Sequence, residues 1–264
     1  MLRPPRPHLK RQSINALLPN AITVLALFAG LTAIRYGLQG QWDKATLAIL
    51  VAGICDGLDG RLARLLKSTS RFGAELDSLS DFVSFGVAPA LVIYQWTLHQ
   101  IGGLGWAAAL VFATCSALRL ARFNTALDEP SPPPWQSHFF TGVPAPAGGG
   151  LALVLMFLSF ELGDAGFRSA YLNAVALLCI GFLMISRLPT FSMKKVRIGR
   201  EMMLPALIGV AVLAAALINF TWWTLALIGL AYLGSLPFSV TTARRMAREA
   251  EASRPVQLAE PPQP

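Results

Sequence analysis

Charge is what this chain lacks. Only 14% of its 264 residues are charged, against about a quarter in an ordinary soluble domain. The deficit coincides with long uncharged runs and a mean hydropathy of +0.54, which exclude an ordinary soluble domain and point to a polytopic membrane protein. Cysteine is scarce as well. Cys55, Cys115 and Cys179 are odd in number, lie far apart in apolar runs and form no CxxC pair. They read as small core residues, with neither a disulfide framework nor a zinc site. His8, His99 and His138 stand alone, which leaves no histidine-based metal centre. No ten-residue alternation of apolar and polar residues suggests a barrel, so helices, which satisfy their own backbone groups, are expected.

What is there is a series of apolar segments. They predict an all-α polytopic membrane bundle of about eight transmembrane helices. The spans fall near residues 18–36, 42–65, 76–98, 104–123, 144–160, 171–187, 204–220 and 225–239. The first follows Arg3, Arg6, Lys10 and Arg11 in the manner of a signal peptide, but no small-residue cleavage site precedes a polar region, so it is read as a retained helix. All but three of the 22 lysines and arginines fall on the side of the N-terminus. The exceptions are Arg35, Lys44 and Arg168. The net charge of +8 is therefore a topology signal that places both termini in the cytoplasm, and not the mark of a nucleic-acid partner. Residues 1–13 form a basic cytoplasmic segment that lies against anionic headgroups. Residues 14–243 form the transmembrane domain, and 244–264 a cytoplasmic, mostly disordered tail. Residues 128–135, with Pro130 and Pro132 to Pro134, form a stiff extended connector. Gly148, Gly149 and Gly150 read as close helix packing.

Against this background four aspartates stand out: Asp56, Asp59, Asp77 and Asp81. Carboxylates inside a membrane protein are costly and mark a functional site by default. Asp56, Asp59, Gly60 and Ala63 share one face of the second span, and Asp77 and Asp81 share one face of the third. Two carboxylates beside two nearly side-chain-free residues make a slot with a charged wall. The third span begins at this end, and helix N-termini favour anions. Arg64, Lys67 and Arg71 lie in the connection. Carboxylate-only ligands select a hard cation, Mg²⁺ or Mn²⁺, and such a site suits a metal-held phosphate ester.

The full pattern D-x2-D-G-x2-A-R-x8-G-x3-D-x3-D, from Asp56 to Asp81, resembles the signature of the CDP-alcohol phosphotransferase family. That resemblance implies displacement of CMP from a CDP-linked lipid by an incoming hydroxyl. It implies Asp56, Asp59, Asp77 and Asp81 at the metal, with Asp81 also taking the nucleophile's proton. Gly60, Ala63, Arg64 and Gly73, with Lys67 and Arg71 nearby, are the implied contacts to CDP-lipid. A homodimer is implied too.

Three further stretches are similar to the phosphatidylserine synthase branch: Ser84-Phe-Gly-Val-Ala-Pro89, Arg119-Leu-Ala-Arg122-Phe123-Asn124, and Arg187 to Lys195. They imply CDP-diacylglycerol and L-serine as substrates, in a bacterial inner membrane, and the distribution of lysine and arginine puts the site on its cytoplasmic face. Arg119 and Arg122 would offer a guanidinium fork to the serine carboxylate, or anchor the helix end. Asn124 would meet the ammonium or end its helix. Ser78, Ser80 and Ser84 read as packing groups, since no histidine activates them. Lys194 and Lys195 read first as topology signals. Two alternatives stay open at this point: another acceptor, glycerol-3-phosphate or inositol phosphate, and a divalent-cation transporter.

Overall fold

A computed structural model of the chain describes residues 14–126, 139–191 and 200–252. Helices α1 (Ile14–Leu38) and α2 (Trp42–Leu65) form a hairpin that turns at Gly40. The chain re-enters as α3 (Arg71–Asp81), a π-helical turn over Phe82–Val87, and α4 (Ala88–Trp96). A 3-10 turn at Leu98–Ile101 leads into α5 (Gly103–Ala126). Strand β1 (Phe139–Thr141) precedes α6 (Ala145–Ala152), α7 (Val154–Leu162) and α8 (Ala170–Ile185). Strand β2 (Pro189–Phe191) pairs antiparallel with β1, Phe139 opposite Phe191. A 3-10 turn at Arg200–Met202 leads to α9 (Met203–Asn219) and α10 (Thr221–Ala252).

The π turn has a local cause. Pro89 has no N–H to give to the carbonyl of Phe85, so the ladder widens there and the Ala88 N–H reaches Val83. Wide turns of this kind re-aim the residues beside them, and Asp81 is the residue just before this one. α1 is tied to the same stretch by two buried hydroxyls. Ser80 donates to the Thr23 carbonyl and Ser84 to the Ala26 carbonyl, each at 3.2 Å. In an apolar interior such hydroxyls need acceptors, which makes them packing groups as expected. Gly30 permits the approach, since a Cβ there would lie 2.9 Å from the Cα of Ser84. The core sits below, around Phe85, Trp96, Phe112, Leu153 and Met184.

Five helical segments are long and apolar enough to cross a membrane: Leu17–Leu38, Arg71–Trp96, Gly103–Ala126, Ala145–Leu162 and Thr221–Met246. Ala170–Ile185 and Met203–Asn219 are shorter apolar helices. α2 has spanning length but carries Asp56, Asp59, Arg61 and Arg64 near one end. The outside of the bundle is apolar. α9 buries no residue, and Leu204, Leu207, Val210 and Ile218 stand exposed on it. A helix apolar on all sides at the rim of a bundle belongs in lipid. The protein is thus an all-α integral membrane bundle.

The structure departs from the sequence reading at several places. α10 continues to Ala252 instead of ending near residue 239, because helix-forming residues and an Arg245–Glu249 pair at 2.8 Å follow the apolar run. The segment read as 144–160 is broken at Leu153 into α6 and α7. Within it, Gly148 faces Met184 and Gly149 faces the backbone of Phe85 as close-packing glycines, while Gly150 has open space. Cys179 is exposed on the apolar outside and is not a core residue. The proline connector at 128–135, the basic segment 1–13, Lys194, Lys195 and the tail from residue 254 lie outside the described residues.

Candidate active site

The site is built at the end of the bundle where α2 stops, α3 starts and α5 ends. α2 closes in a Schellman arrangement: the Ser68 N–H meets the Ala63 carbonyl at 3.0 Å and the Lys67 N–H meets that of Arg64 at 3.2 Å. Lys67 occupies the left-handed position, φ 49°, and is the one non-glycine residue with positive φ among those described. Ser70 then caps α3, its Oγ accepting from the Gly73 N–H at 3.0 Å. This tight return sets the carboxylates of α3 against those of α2.

Ligand oxygens of Asp56, Asp59 and Asp77 all lie within 4.8 Å of one another. Asp59 is buried and accepts a 2.6 Å hydrogen bond from Thr23 of α1. Asp81, one turn further along α3, stands outside this triad, and its carboxyl meets that of Asp56. Three carboxylates held this close repel one another strongly unless a cation lies among them. Their donor set is all oxygen, which fits a hard divalent ion and not a thiolate- or imidazole-seeking one.

Beside the triad opens a cavity of about 380 Å³, reaching from Asp59 and Asp77 past Gly60, Ala63 and Gly73 to Arg64. Gly60 and Gly73 serve it differently. A Cβ on Gly60 would meet nothing within 4 Å, so packing does not demand the glycine; it leaves space. A Cβ on Gly73 would come within 2.9 Å of Asn20 Oδ1 and 3.1 Å of Ser70 Oγ. Lys67, on the connecting turn, and Arg71, at the first position of α3, are exposed and do not line the cavity. The sequence reading missed the share of α1. Asn20 and Thr23 line the cavity, and the available signal was two polar residues one turn apart in an otherwise apolar helix.

The three acceptor candidates diverge. Arg119 is half-buried within electrostatic reach of Asp81 and Asp56, with its guanidinium 5.8 Å from the centre of the Phe123 ring. Arg122 turns the other way and donates to the Ile185 carbonyl at 2.7 Å, closing the end of α8, so the pair does not make a fork. Asn124 does not end its helix, which runs to Ala126; its amide donates to Ser78 Oγ at 2.9 Å and ties α5 to α3.

Comparison with known proteins gives the class. The CDP-alcohol phosphatidyltransferase family model matches residues 16–185, and a second model, CDP-alcohol phosphatidyltransferase 2, matches residues 201–237. The chain belongs to the CDP-alcohol phosphatidyltransferase family. Within it, the chain is 38% identical over 247 residues to the CDP-diacylglycerol–serine O-phosphatidyltransferase of Mycobacterium leprae (strain TN), covering 94% of this chain and 82% of that protein. It is 36% identical over 183 residues to the enzyme of the same name from Helicobacter pylori (strain ATCC 700392 / 26695), 69% of this chain and 74% of that one. A third, from Bacillus subtilis (strain 168), is 34% identical over 178 residues, 67% of this chain and 92% of that protein.

Proposed function

We propose that this protein transfers the phosphatidyl group of CDP-diacylglycerol to L-serine, forming phosphatidylserine and CMP. The observation that carries this reading is the aspartate triad, gathered within 4.8 Å beside a cavity opened by Gly60, in a chain matched over 94% of its length by an enzyme named for that reaction. Asp56, Asp59 and Asp77 would hold a divalent ion, Mg²⁺ or Mn²⁺ by donor type. When bound, that ion supplies positive charge opposite the diphosphate oxygens.

The protein's own groups do the rest. Arg64, Lys67 and Arg71 at the rim, with the N-terminus of α3, favour the anionic headgroup. The glycine slot admits the nucleotide close to the α2 backbone, while the acyl chains stay in the bilayer. Asp81 takes the proton from the serine hydroxyl. The serine oxygen forms a bond to the lipid-side phosphorus, the bond to the CMP phosphate breaks, and CMP leaves. Arg119, within electrostatic reach of Asp81, would meet the serine carboxylate, whereas Arg122 and Asn124 bond to neighbouring helices. Ion transport is disfavoured: among the described residues no second cluster of three acidic groups continues a path from the triad.

Further parts of the same reading concern topology and assembly. The helices of the fold are taken as about eight spans, with both termini and the site on the cytoplasmic side of a bacterial plasma membrane. The transmembrane domain covers residues 14–243, and the family resemblance implies a homodimer.

The test is an acceptor panel. Purified protein, CDP-diacylglycerol and Mg²⁺ or Mn²⁺ are incubated with serine, glycerol-3-phosphate or inositol phosphate, and CMP release is followed. Release that depends on serine is expected. Faster release with a phosphorylated acceptor would remove serine from the reading.

Lys67 gives a second test. A left-handed non-glycine residue costs about 1–2 kcal/mol, partly offset by the greater unfolded-state freedom of glycine. Lys67→Gly is therefore expected to raise stability by roughly 0.5–1 kcal/mol in thermal unfolding. It is also expected to weaken CDP-diacylglycerol binding, because the ammonium at the rim is lost. A variant that is more stable and binds the lipid undiminished would leave the strain at Lys67 without a functional reason.

A further inference from the structure

α10 lies outside the signature region, yet it brings one side chain within electrostatic reach of Arg119. Two contacts anchor the helix. Near its start Trp222 stacks on Phe157 at 5.8 Å and meets Phe160 edge-on at 4.9 Å; near residue 239 Ser239 donates to the Pro189 carbonyl at 2.7 Å. Tyr232 sits between these anchors. Its hydroxyl is buried and has no hydrogen-bond partner among the described residues. Thr190 of β2 lies beside it and donates its own O–H to the Gly142 carbonyl at 3.0 Å, so that only its lone pairs face the phenol. A buried phenol left open in this way is uncommon in a native structure unless a ligand completes it.

The neighbour that matters is Arg119. It and Tyr232 lie within electrostatic reach of each other, and Arg119 reaches Asp81 and Asp56 as well. Arg119 forms no ion pair among the described residues, so its N–H groups remain available. A guanidinium and a phenol O–H within electrostatic reach of each other are the donor types that suit a carboxylate, which presents about four lone pairs. A phosphomonoester, with nearly two negative charges, would call for a second cation, and Arg122 is already committed to Ile185.

We propose that Tyr232 is a specificity-determining residue of the acceptor pocket, gripping the carboxylate of the incoming amino acid together with Arg119 and so turning its hydroxyl toward Asp81. The proposal rests on the reading that the acceptor is serine and adds the residue that recognises it. Tyr232 is neither metal ligand nor base, and α10 becomes part of the site instead of a lipid-facing addition.

Tyr232→Phe in the full-length enzyme tests it, since the ring and its packing remain. The KM for L-serine is expected to rise roughly ten- to hundredfold, the loss of one hydrogen bond to a charged group. The KM for CDP-diacylglycerol and the metal-dependent affinity for CDP should stay within about twofold of wild type, because neither ligand meets the phenol. Competitive inhibition by serinol, which has no carboxylate, should be unchanged as well. An unchanged KM for serine overturns the proposal and leaves the serine reading standing. Loss of CDP affinity together with serine affinity makes Tyr232 a structural support and overturns it too. If wild-type protein shows no serine-dependent CMP release, the serine reading itself fails and takes this inference with it.

Discussion

Asp81→Asn is expected to lower CMP release by roughly 10²–10⁴-fold, the usual contribution of a positioned general base, while cytidine nucleotide still binds. The structure separates Asp81 from the other three. The triad of Asp56, Asp59 and Asp77 closes without it, and Asp81 stands one turn further on, against Asp56 and within reach of Arg119. Asparagine has nearly the same shape and keeps a hydrogen-bonding partner for Asp56, so the helices have no reason to move. What it loses is the capacity to accept a proton. CMP release and calorimetric binding of CDP with Mn²⁺ present would be measured on the same preparation. Full activity would remove Asp81 from the role of base. Loss of nucleotide binding would instead move it into the metal-holding set, the other role that the family resemblance implies for it.

Asp59→Ala should abolish metal-dependent nucleotide binding, weakening it by more than about a hundredfold, since a directly coordinating carboxylate counts for more than the groups behind it. The fold has a way to tolerate the change. The Thr23 hydroxyl that donates to Asp59 at 2.6 Å also lies 3.1 Å from the Pro19 carbonyl and can turn to it. Removing one of three mutually repelling carboxylates also relieves the ion-free protein. The variant should therefore unfold no lower than wild type without metal, but fail to gain melting temperature when Mn²⁺ is added. A variant that still gains melting temperature and still binds CDP with metal present would count against the triad as the ion's holder.

These two expectations show what kind of information a linear chain carries. Asp56 with Asp59, and Asp77 with Asp81, fall on common helical faces because 3.6 residues make a turn, a purely local rule. The membrane class followed from composition, because an apolar run long enough to span cannot be hidden in a chain this short of charge. The π turn after Asp81 was carried by Pro89 but passed unnoticed, since its effect lies in hydrogen-bond register and not in hydropathy. Asn20 and Thr23 are polar residues in an apolar helix, and only the packing of α1 along α3 brings them to the site.

Arg119 and Arg122 mark the boundary most clearly. Three apart at one helix end, they are equivalent in sequence, which reads them as a fork for the serine carboxylate or as anchors of the helix end. Packing assigned one to the aspartates and the other to the end of α8. Tyr232 could not be found from sequence at all, because its neighbours Arg119 and Thr190 lie far away along the chain. The sequence by itself determined the membrane helices, the spacing of the four aspartates and the glycine beside them, all of which depend on residues within a turn or two. Only the tertiary structure decided which side chains complete the site. That choice depends on which helix faces pack together, and pairwise packing across a bundle is set by the whole chain at once.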